Sequence, residues 1–122
     1  MKTLKFNKFD NVIPLNLALA DFDGLAKLFI YEREGREAPS MYSLVRTTDK
    51  FILTPCRRGN SLLEELRIKK VDWVKIDVEG AEYEVLSGMT EIMKNNESLK
   101  IIMELHLRNG ELINWEKKSK VY

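Results

Sequence analysis

A single cysteine, Cys56, is all the thiol this chain carries, which excludes an internal disulfide and any cysteine-rich zinc centre. A reducing cytoplasm fits that. No apolar run approaches the ~20 residues of a membrane span, and the opening MKTLKFNKFDN lacks the apolar core of a signal peptide. An excess of one charge is missing too: 20 Lys and Arg stand against 19 Asp and Glu, so no broad basic field draws the chain to nucleic acid or to an anionic membrane. The pairs Arg57-Arg58, Lys69-Lys70 and Lys117-Lys118 read as solvated. The six glycines are scattered along the chain, and no G-x-G-x-x-G occurs. A nucleotide-binding α/β domain normally opens on a strand, a glycine-rich turn and a helix. That opening is absent.

What is present is enough for one modest soluble domain: 122 residues, 44% apolar and 32% charged. The richest stretch runs from Val71 to Leu107. Val71, Trp73, Val74, Ile76 and Val78 form a short β-branched and aromatic run of strand length. Gly80 breaks it, and Ala81, Val85, Leu86, Met89, Ile92 and Met93 then recur at helical spacing, predicting one helix from about Gly80 to Asn95. Leu99 to Leu107 is a second strand, with Ile101, Met103, Leu105 and Leu107 on one face and Ile102, Glu104 and His106 on the other. The unit is β-α-β, which predicts parallel neighbouring strands. Its inward residues should be Val74, Ile76, Val85, Leu86, Met89, Met103 and Leu105.

Asp77 and Glu79 share a face near the end of the first strand, and Glu104 and His106 share one near the end of the second. Ligands of open α/β sheets sit beyond the carboxyl ends of the strands, where all four would lie. A plainer role stands beside this one, because Glu79 and Glu82 are also favourable charges at a helix N-terminus. The same cluster offers oxygen and nitrogen ligands to a divalent cation, but nothing in the spacing demands one.

The string VDWVKIDVEGAEYEVLSGM, followed by IIMELHL, resembles the signature of FkbM-type methyltransferases, matched at Lys75, Asp77, Glu79, Gly80, Glu82, Leu86, Gly88, Glu104 and His106. Upstream, Asn16, Ala18, Leu19, Asp21 and Gly24 are similar to a segment that in this family lies near the cofactor's adenine. The resemblance implies an S-adenosylmethionine-dependent methyltransferase with a partial Rossmann-like, class I α/β sheet, acting on a hydroxyl of a sugar or secondary metabolite. Asp77, Glu79, Glu104 and His106 would then be catalytic, with His106 or Asp77 as general base. Ala18, Leu19, Asp21 and Asp77 would hold the cofactor.

Elsewhere the signals are local. Val12 to Ala20 reads as a strand weakened by Pro14, and a turn at Asp21 to Gly24 leads to a hairpin partner at Ala26 to Glu32, a β-hairpin near residues 11–32. Glu34 to Met41 reads as a loop, with a loose serine-segment match at Ser40 to Leu44. Phe51 to Thr54 is a short strand stopped by Pro55. Ser61 and Glu64 form a capping-box pattern ahead of a short helix. By the resemblance, residues 1–122 would be a single methyltransferase domain lacking the strands that carry the cofactor loop, so S-adenosylmethionine should bind weakly. In the doubly wound order 3-2-1-4-5 those strands lie between the Val12 strand and the Val71 strand. The exposed edge would be met by direct pairing of the two remaining strands, by a second copy in a homodimer, or by an upstream half-domain. The rival function is a non-catalytic remnant that pairs through that edge.

Overall fold

The computed structural model describes residues 9–33, 36–40 and 50–106. The readings made for the N-terminal tail, for Met41 to Leu44 and for Leu107 onward lie outside these residues. Six strands and three helices are described: β1 (Ala18–Leu19), β2 (Gly24–Arg33), β3 (Arg36–Ser40), β4 (Phe51–Arg57), α1 (Gly59–Glu65), β5 (Trp73–Ile76), α2 (Glu82–Ser87), α3 (Thr90–Asn95) and β6 (Lys100–Met103). They form a mixed α/β structure with two sheets, one ordered β1-β4-β2-β3 and the other β5-β6.

The second sheet has the expected parallel crossover, with Trp73 opposite Lys100 and Ile76 opposite Met103. Its helical connection differs. The predicted continuous helix is two short ones, broken at Gly88 and Met89. Gly88 is where this unit meets the first sheet: a Cβ there would lie 2.0 Å from the carbonyl oxygen of Ala20, and the Gly88 carbonyl accepts the Asn60 N–H at 2.9 Å. Docking at that point interrupts the helix. The inward residues Ile76, Val85 and Met89 form a buried cluster against which Leu19, Val74, Leu86 and Met103 pack partly covered. Leu105 is instead exposed. The β5-β6 ladder ends with the Glu104 N–H donating to the Ile76 carbonyl, so the strand alternation that would have turned Leu105 inward does not continue.

The hairpin near residues 11–32 is not formed. Only Ala18 and Leu19 of the first run are in a strand, and β1 pairs parallel with β4 through Cys56 and Arg57. β2 pairs antiparallel with the other side of β4 and with β3. β4 therefore lies between the two runs expected to pair with each other, a long-range choice that a local turn signal does not register. The predicted loop at Glu34 to Met41 contains β3, whose Pro39 is tolerated because the strand is at the sheet edge. Pro55 likewise does not stop β4. Among the described residues β1 pairs with Cys56 and Arg57 alone, so at Pro55 that side of β4 has no ladder partner and can take a residue without an N–H.

The capping box is also replaced. The N-cap of α1 is Arg58, with no side-chain cap. Ser61 donates its hydroxyl to Asp23 at 3.0 Å, and the same carboxylate accepts the Arg58 backbone N–H at 2.9 Å and the Arg58 Nε–H at 2.8 Å. A residue far upstream ties down the entry to the helix. Finally, β1 and β5 are in separate sheets, so of the three ways of meeting the exposed edge, direct pairing of these two strands does not occur.

Candidate active site

Beyond the last paired residues of β5 the chain turns back sharply, and Glu79 (φ 51°) and Gly80 (φ 100°) both have left-handed backbone. The left-handed region suits Gly80 and strains Glu79 by roughly 1–2 kcal/mol, a cost found where a turn must aim particular groups. The turn carries Glu82 into the interior. Its carboxylate is 0% exposed, and Oε1 accepts the Gly80 N–H at 3.0 Å. His106, arriving just past the end of β6, lies with Nδ1 2.8 Å from the same Oε1.

The other face of the imidazole meets the remaining acids. Nε2 is 3.5 Å from Glu79 Oε2 and 3.7 Å from Glu104 Oε1. Asp77, Glu79 and His106 present donor atoms that all fall within 4.8 Å of one another. The structure thus brings Asp77, Glu79, Glu104 and His106 to one end of the β5-β6 sheet. That spacing would admit a divalent cation, although Asp77 already pairs with Lys75 at 2.9 Å.

The charges set the protonation of the cluster. Burial opposes protonation of His106, but the bond to Glu82 and the charges of Glu79, Glu82 and Glu104 outweigh it, and its pKa is raised above 6.5. Asp77 moves the other way. The hydrogen bond and charge of Lys75 hold its carboxyl below the usual range, with a smaller contribution from His106.

A cavity of about 360 Å³ adjoins the cluster, within the range of small-ligand sites. Leu17, Ala18 and Leu19 line one side, and Val74 to Val78 with Ala81 and Val85 line the other. Its walls are mostly apolar, and Lys75 and Asp77 supply charge. Asp77 belongs to both the cavity and the carboxylate cluster. Of the residues read as cofactor-binding, Ala18, Leu19 and Asp77 line this space; Asp21 is exposed on the turn and does not.

Glu82 is the residue the sequence reading passed over, because an acid in the first turn of a helix already has a sufficient explanation. A signal was available. Glu82, Val85 and Met89 share the i, i+3, i+7 spacing of the buried helical face, so an acid stands in an apolar stripe.

The sequence model of the methyltransferase FkbM domain matches residues 3–118. No curated protein and no solved structure matches the chain.

Proposed function

Because the chain belongs to the FkbM methyltransferase domain family, we propose that it takes part in S-adenosylmethionine-dependent O-methylation of a hydroxylated small molecule, with His106 as general base. The observation that carries this reading is the position of Asp77, which is shared by an apolar cavity and by the carboxylate–imidazole cluster. Ala18 and Leu19 would hold the adenine side, and the cavity's apolar walls fit a flat heterocycle. S-adenosylmethionine supplies an electrophilic methyl group when bound.

The residues of the chain then have separable tasks. Glu79 and Glu104 orient the acceptor through its hydroxyl groups, and His106 in its neutral form takes the hydroxyl proton as the new O–C bond develops. A mouth lined by Asp77, Glu79 and Glu104 repels phosphate or carboxylate on the acceptor, which favours a neutral or cationic polyol. Within 122 residues that contain no glycine-rich turn, cofactor affinity rests on the cavity and should be weak. The test is transfer of a labelled methyl group to a panel of hydroxylated acceptors. His106→Ala should lower the rate by roughly 10²–10⁴-fold, the usual contribution of a general base. An unchanged rate in that variant would remove His106 from the chemistry.

A second reading keeps the fold and drops the catalysis. Among the described residues β5 pairs only with β6, the cavity lies between β1 and β5 where a doubly wound sheet carries further strands, and Trp73 and Ile102 are 58% and 56% exposed. On this reading the cavity is a slot for strands of a second copy or of an upstream half-domain. A defined-mass complex with no response to cofactor would favour it.

A further inference from the structure

Burying a carboxylate is costly, and fold stability alone would favour an apolar side chain between Gly80 and Val85. Glu82 is nevertheless fully buried, and its second oxygen, Oε2, has no hydrogen-bond partner. Everything it offers goes through Oε1, to the Gly80 N–H and to His106. We propose that Glu82 is a positioning residue: by accepting the Nδ1–H of His106 it fixes the imidazole tautomer and turns Nε2 toward the mouth formed by Glu79 and Glu104.

The assignment follows from donor chemistry. A carboxylate oxygen only accepts, so a 2.8 Å contact with Nδ1 puts the hydrogen on that nitrogen. Neutral His106 then has its lone pair on Nε2. Nε2 is 3.5 Å and 3.7 Å from its two carboxylate neighbours, beyond the usual 2.7–3.2 Å of an N–H···O bond, so neither holds it tightly and it is open to a proton from a third group. The carboxylates acting on the ring are Glu82 beneath it and Glu79, Glu104 and Asp77 around it, with Lys75 paired to Asp77. Among the described residues only Glu82 is at bonding distance from Nδ1. The same arrangement in metal and hydrolase sites orients a histidine by its remote nitrogen. The benefit to catalysis rests on the methyltransferase reading above, whereas the tautomer does not.

His106 is the only histidine in the sequence, so its ring nitrogens can be read without ambiguity in the intact chain. The experiment is a pH titration of ¹⁵N-imidazole-labelled protein by two-bond ¹H–¹⁵N correlation. At high pH the wild-type ring should show a pyrrole-type Nδ1 and a pyridine-type Nε2. Glu82→Gln should move the titration midpoint to lower pH, and Glu79→Gln should also lower it while leaving Nε2 pyridine-type. A wild-type ring protonated on Nε2 at high pH overturns the proposal, and this holds even if Glu82→Gln fails to fold. A folded Glu82→Ala whose ring keeps the wild-type tautomer at high pH overturns it as well, since a Glu82 that served only the Gly80 N–H would leave the tautomer unchanged. No methyl transfer enters the measurement. A chain with the expected tautomer but no catalysis would sink the functional reading and leave the Glu82–His106 pair standing.

Discussion

Gly88→Ala is the substitution for which local and long-range effects disagree most. Gly88 has φ −75° and ψ −4°, a backbone that alanine adopts freely, and on propensity alone Ala should stabilise the end of α2 by up to about 1 kcal/mol. Its surroundings oppose that gain. The added Cβ would lie 2.0 Å from the Ala20 carbonyl oxygen, 3.0 Å from the Ala20 carbonyl carbon and 3.3 Å from Arg58 Cα. The first distance is more than 1 Å inside the roughly 3.5 Å of comfortable contact, and all three atoms are backbone, so no rotamer change relieves the overlap. The two units must separate. Doing so strains the Asn60 N–H bond to the Gly88 carbonyl and the 3.3 Å bond from the Ile92 N–H to Asn60 Oδ1, which together pin α1 to the β5-α2-α3-β6 unit. Overpacking of this kind typically costs about 1–3 kcal/mol, which exceeds the propensity gain and leaves a net loss. Urea unfolding monitored by the fluorescence of Trp73 and Trp115 should show a lower midpoint with an unchanged slope. A neutral or stabilised Gly88→Ala would refute the close approach and with it the docking of the two sheets.

Other expectations follow from burial and charge. Val85→Ala, at a position 3% exposed, should cost about 2 kcal/mol in the same assay, whereas Leu86→Ala, half-buried, should cost less than the 2–5 kcal/mol of a fully buried leucine. Because the pKa of His106 is raised in the folded chain, its contribution to stability is fully present below about pH 6.5 and is lost as pH rises through the folded value. His106→Ala should therefore flatten the alkaline decline of the urea midpoint. Asp23 and Asp77 are lowered, the first chiefly by the Arg58 N–H and the second by Lys75, so their contributions are present above about pH 3.9 and are lost as pH falls through the folded values. Asp23→Asn should flatten the acid decline of the urea midpoint, and Lys75→Met should raise the Asp77 pKa, read from the Asp77 carboxyl ¹³C titration.

The part of the fold that was legible in the sequence is the part whose determinants are close in the chain. Val71 to Val78, the apolar spacing through Met89 and the run from Leu99 carry their own periodicity, and the parallel pairing follows from the handedness and length of the crossover. The gathering of Asp77, Glu79, Glu104 and His106 followed from the same alternation. The split at Gly88 was not legible, because its cause is the backbone of Ala20 and Arg58. The hairpin failed for a related reason: β4 enters between β1 and β2, and the preference of Ala26 and Cys56 for a common buried cluster has no local signature. Ser61 looked like a cap because its sequence neighbours allowed it, and it instead serves Asp23 from a distant turn. Glu82 was masked by an adequate local explanation.

The claim that the cavity between β1 and β5 receives the cofactor is tested most directly by titrating the ¹⁵N-labelled chain with S-adenosylhomocysteine to millimolar concentration, where even weak binding registers. The account predicts saturable shifts at the amides of residues 17–19, 28, 74–78, 81 and 85 and at the His106 ring, with the exposed Leu66 and Ile68 unaffected. Absence of any saturable shift, or shifts that avoid the cavity and His106, would contradict it.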